Sequence, residues 1–96
     1  MDKIKLSQML SLAKEIYEKR KIAHEKHGDK SIEANEQSFD RLMSILTEEV
    51  GEVAMAINDS IVENWSDEQT LWNVRLELID VITVASAWVA RIDDLK

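Results

Sequence analysis

The sequence predicts an all-α protein, a small bundle of three main helices. The chain of 96 residues carries no Pro and two Gly, too few turn-formers for a meander of short strands. Its apolar residues recur at three- and four-residue steps through three long segments, the spacing of a helix face. A composition of 45% hydrophobic and 32% charged residues excludes a wholly disordered chain, because there is enough apolar surface to offset chain entropy.

The first helix is expected over residues 5–27. Leu6, Met9, Leu10, Ala13, Ile16, Tyr17 and Arg20 share one face, and Gly28 supplies a stop after His27. Residues 28–37 are polar and read as a loop beside a helix end. The second helix is expected over residues 38–64, with Phe39, Leu42, Met43, Leu46, Val50, Val53, Ile57 and Ile61 in register. Ser66 and Gln69 then match an S-x-x-Q capping box, which starts a third helix running to about residue 92.

The third helix is apolar over most of its circumference, through Leu78, Ile79, Val81, Ile82, Val84, Ala85, Ala87, Trp88 and Val89. Two other helices of a short chain are too few to cover it, so the bundle is expected to be completed by self-association as a homodimer or homotetramer. With no internal repeat, low-complexity tract or linker, residues 1–96 read as one domain.

Nineteen acidic against twelve basic residues give a net charge of −7, which argues against nonspecific binding to nucleic acid or anionic lipid. The absence of Cys excludes disulfides, thiolate zinc sites and thiol nucleophiles. The N-terminus lacks a long apolar run, and the apolar stretch at residues 81–90 is broken by Thr83 and Ser86, so a soluble cytoplasmic protein without a membrane partner is expected.

The informative feature is two carboxylate pairs inside the most apolar helices, Glu49 with Glu52 and Glu77 with Asp80. Residues three apart lie on one helical face, so each pair can converge its oxygens. At 100° per residue Glu49 falls within the apolar arc of the second helix and Glu52 at its edge, about 60° away, whereas Glu48 lies outside it. Glu77 and Asp80 repeat that placement on the third helix. Unpaired acids facing a bundle interior would cost several kcal/mol each and repel one another, so they must be protonated, paired with bases or coordinated to metal. Hard oxygen donors in this number suit Mg²⁺ or Mn²⁺, and facing helices are a known way to assemble such sites. Gly51, between the acids of the second helix, would let another backbone or a substrate approach.

At these residues the sequence resembles the MazG-like, all-α nucleoside triphosphate pyrophosphatase superfamily. Its signature reads here as Glu48-Glu49-Val50-Gly51-Glu52, a spacer, then Glu77-Leu78-Ile79-Asp80. The resemblance implies Mg²⁺-dependent hydrolysis of nucleoside or deoxynucleoside triphosphates to the monophosphate and pyrophosphate. Glu49, Glu52, Glu77 and Asp80 would then be the metal ligands, and Glu48, Glu49 and Glu52 the catalytic carboxylates, with Glu48 outside the ligand set. It also implies cations for the distal phosphates and a pocket for the base. Lys26, Lys30 and His27, with His24 nearby, are the candidates at the end of the first helix, and Trp65 and Trp72 the aromatics available for stacking. Trp88 reads as core or interface, and Arg91 lies about 16 Å along the axis from Asp80.

Rival readings within the class are a dUTP- or dCTP-selective enzyme and a phosphoribosyl-ATP pyrophosphohydrolase. A non-enzymatic helical module that binds metal or a partner protein is the rival outside it.

Overall fold

The computed structural model describes residues 3–28 and 38–95, which form three α-helices and, among the described residues, no strand. These are α1 (Leu6–His27), α2 (Phe39–Val62) and α3 (Asp67–Leu95). All three expected helices are present. The third runs past residue 92 because neither Gly nor Pro follows to end it.

The helix ends follow from local chemistry. The last turn of α1 carries His24, Lys26 and His27 at the partially negative helix terminus, and Gly28 takes a φ of 55° while its N–H donates to the His24 carbonyl. The Ser38 hydroxyl caps α2 by accepting from the Arg41 N–H at 3.1 Å. The far end of α2 closes on Asn64, at a φ of 53°. There the Trp65 N–H donates to Ser60 O at 3.0 Å and the Asn64 N–H to Ile61 O at 3.4 Å, so two terminal carbonyls are satisfied. Residue 64 is therefore the turn itself and not the last helical residue. The Ser66 hydroxyl accepts from the Gln69 N–H at 3.1 Å, which is half of the expected capping box; the return bond from the Gln69 side chain is not formed among the described residues.

The short α2–α3 turn lays these helices antiparallel, and α3 is the element on which both others pack, α2 along more of its length than α1. Leu42 is completely buried, and Ile16, Ala56, Ile79, Val84 and Ala87 complete the core. Thr83 and Ser86, the polar interruptions of α3, donate back to the carbonyls of Ile79 and Thr83 at 2.7 and 2.9 Å, which satisfies their hydroxyls inside an apolar stretch. A fork of hydrogen bonds from the Arg75 guanidinium to Glu15, at 2.8 and 3.1 Å, ties α1 to α3.

Of the patterned face of the first helix only Ile16 is buried, while Leu6, Met9, Leu10 and Tyr17 are exposed, because among the described residues α1 meets α3 without backbone contact to α2. One expectation is corrected: Gly51 is exposed, and a Cβ there would meet nothing within 4 Å, so no other backbone among the described residues approaches it. No helix among the described residues is long and apolar enough to cross a membrane.

Candidate metal centre

Glu49 and Glu52 stand one turn apart on α2, as do Glu77 and Asp80 on α3, and the antiparallel α2–α3 contact turns both pairs toward each other. One oxygen from each of the four lies within 4.8 Å of all the others. Glu49, Glu77 and Asp80 are half-buried and Glu52 is exposed, so the group opens to solvent on one side. Glu48 is exposed and lies outside this group, as its wheel position predicts.

The crowding has an electrostatic signature. Desolvation, followed by the charges of Glu52 and Asp80, pushes the Glu49 carboxyl up to about 7. Desolvation and the Glu52 charge raise Glu77 as well, partly offset by Lys19. The nearness of the Glu52 carboxylate raises both further. Glu77 Oε2 is buried without a hydrogen-bond partner. An orphaned acceptor on one of four acids whose oxygens approach one another within 4.8 Å fits a hard divalent cation of the Mg²⁺ or Mn²⁺ type.

One cation reaches this cluster from α1. Lys19 Nζ lies 3.2 Å from Asp80 Oδ1, both side chains being partly exposed. The cluster also opens onto a groove of about 730 Å³ between α1 and α2, with α3 as its floor. Glu49 and Asp80 line its acidic end, Lys19, Arg20, His24, Lys26, His27 and Arg41 its basic sides, and Ala23, Ile45, Val84 and Ala87 its apolar part.

The structure thus brings Lys26 and His27 to the groove, with His24 beside them. Lys30 lies outside the described residues. Trp65 and Trp72 are not part of the groove. Trp65 donates its indole N–H to Glu63 at 3.1 Å at the α2–α3 turn, and Trp72 is exposed early in α3, whereas the groove occupies the opposite end of the helix pair. Trp88 is half-buried against Phe39, with ring centroids 5.6 Å apart, and the Arg91 guanidinium stacks 5.5 Å from the centre of the Phe39 ring, away from the acids. Lys19 and Arg41 had no mark in the sequence that set them apart. Arg20 was legible as the basic residue on the patterned face of the first helix, though not as a groove residue.

Residues 37–94 match the family described as the MazG nucleotide pyrophosphohydrolase domain, a span that holds α2, α3 and all four clustered acids. No curated protein and no solved structure matches the chain.

Proposed function

The chain belongs to the MazG nucleotide pyrophosphohydrolase family, and on that premise we propose that it hydrolyses nucleoside or deoxynucleoside triphosphates between the α- and β-phosphates, as nucleotide-pool house-cleaning. The observation that carries this reading is the placement of four converging carboxylates at the end of a groove whose sides are basic. Glu49, Glu52, Glu77 and Asp80 would hold Mg²⁺, with Mn²⁺ as a substitute. Once bound, the ion supplies neutralisation of phosphate charge and makes the attacking water more acidic.

The remaining work falls to the chain's own side chains. The basic sides of the groove, Lys26 and His27 with Arg20 and Arg41, match the charge of the distal phosphates. Its apolar part, Ala23, Ile45, Val84 and Ala87, offers a dry surface for the sugar and base. Glu48 and the free oxygens of Glu49 and Glu52 are the carboxylates available to take the proton of the attacking water. The water oxygen bonds to phosphorus, the α–β anhydride bond breaks, and its bridging oxygen leaves with one of the two products. The extent of uncovered apolar surface supports assembly as a homodimer or homotetramer.

The test incubates the protein with a panel of NTPs and dNTPs, phosphoribosyl-ATP included, with Mg²⁺ or EDTA, and resolves every phosphate product. Mg²⁺-dependent monophosphate plus pyrophosphate is expected, and the fastest nucleotide names the preference of the groove. Diphosphate plus phosphate would overturn the proposed bond, and no turnover on any substrate would leave a metal- or partner-binding module.

A further inference from the structure

Lys19 makes an ion pair with the acid cluster, and it belongs to α1, outside the span that matches the family. Its Nζ sits 3.2 Å from Asp80 Oδ1 and the same side chain lines the groove. A protonated lysine has three donors and no lone pair, so it cannot join a metal's ligand set. It is instead a rival for Asp80, one positive charge against the two of a divalent cation.

The site is also built so that the loser of that rivalry has somewhere to go. The Lys19 backbone is held, since Ile16 one turn earlier is buried in the core and Glu15 is clamped by Arg75. Its four-carbon stem is flexible, however, and only partly covered. That freedom would let the ammonium leave Asp80 for the groove that the same side chain lines.

We propose that Lys19 is a tethered stand-in cation, which holds Asp80 while the centre is empty of metal, is displaced into the groove when a divalent cation enters, and there engages the phosphates of the substrate. The inference rests on the metal-centre reading above and adds an order to it. Metal enters first and releases Lys19, and the phosphate chain then finds both charges in place. Lys19 is a positioning residue in the first step and a phosphate-binding residue in the second.

The test measures Mn²⁺ binding by calorimetry at fixed pH and salt, without nucleotide, for the wild type, Lys19→Met, Lys19→Arg, Lys14→Met and Glu49→Gln. Lys14 is exposed on α1 and serves as the control for net charge. Lys19→Met is expected to bind Mn²⁺ about two- to five-fold more tightly, the size of a partly exposed ion pair. Lys19→Arg, which keeps the charge, and Lys14→Met should match the wild type. With Mn²⁺ saturating, Lys19→Met should bind a non-hydrolysable triphosphate analogue more weakly than the wild type, and Lys19→Arg should restore that binding.

Unchanged or weaker Mn²⁺ binding by Lys19→Met would overturn the stand-in role, as would an equal gain in Lys14→Met. Unchanged binding of the analogue would overturn the phosphate role. If the wild type takes up no Mn²⁺, or Glu49→Gln binds it equally well, the metal centre itself is wrong and this inference falls with it. Circular dichroism melts establish that each variant is folded before binding is compared.

Discussion

Glu49 is the residue where the conflict between burial and charge is greatest, its carboxyl raised from 4.5 to about 7. A raised acid means that the folded state holds the proton more tightly than the unfolded chain. The stability this provides is fully present below pH 4.5 and is lost as pH rises toward about 7, the window of the shift. The melting temperature of the metal-free protein should therefore fall across that range, and saturating Mg²⁺ should reverse the fall, because a divalent cation replaces the proton. The same competition requires metal affinity to weaken below pH 7, which calorimetry across pH 5.5–8 at roughly constant ionic strength would measure. Glu49→Gln removes one of the clustered charges without changing shape. It should flatten the pH profile, raise metal-free stability at neutral pH by about 1 kcal/mol, and lower Mg²⁺-dependent turnover at least about 100-fold. Asp80→Asn should lose turnover without that gain in stability, since it also deprives Lys19 of its partner. The four acids were legible in the sequence because E-x-x-E and E-x-x-D fall within or beside apolar arcs. Lys19 was not, because it is one of several basic residues on α1, and only the angle at which α1 crosses α3 selects it.

The helix ends are where sequence and structure are easiest to compare. Ser66 and Gly28 were readable as punctuation, the first from a capping box and the second from the residue type that tolerates a left-handed φ. Asn64 was not, because Asn is common both inside helices and at left-handed caps, and nothing in the composition of the chain distinguishes the two. Replacing Asn64 with Val should cost about 1–2 kcal/mol, since a branched side chain at a φ of 53° meets the carbonyl that Asn tolerates, whereas Asn64→Gly should cost nothing. Ser38→Ala and Ser66→Ala should each cost about 1 kcal/mol through an unsatisfied N–H. Urea denaturation monitored at 222 nm would rank all four. The exposure of most of the patterned face of α1 was not legible: its periodicity is genuine, but periodicity says which residues share a side and not whether a neighbour covers that side. Arg75→Ala, which releases the clamp on Glu15, should consequently speed hydrogen exchange in α1 far more than in α2.

A chain of this length packed as one compact unit would have a radius of gyration of about 12–13 Å, against 15.3 Å here, with extents of 44 × 35 × 21 Å. The excess has a cause at the level of packing, because among the described residues the three helices meet only through α3 and leave both flanks of it open. Along α2, Phe39, Met43, Val50, Ile57 and Ile61 are all exposed and recur on one side of the helix, next to the stripe that buries Leu42. On α3, Leu71, Leu78, Ile82 and Val89 form a second such row. Rows of large apolar side chains on two adjoining helices present more apolar surface than a lone domain usually exposes, and a second copy of the chain would bring a matching pair of rows. Sedimentation equilibrium should accordingly give at least twice the 11.0 kDa of the monomer. Val50→Glu combined with Ile57→Glu should shift the protein to monomer and lower its melting temperature, because the charges fall in the centre of the α2 row and the monomer cannot bury α3 unaided. A wild-type protein that sediments as a monomer at micromolar concentration would show instead that these rows stay exposed or serve an unlike partner.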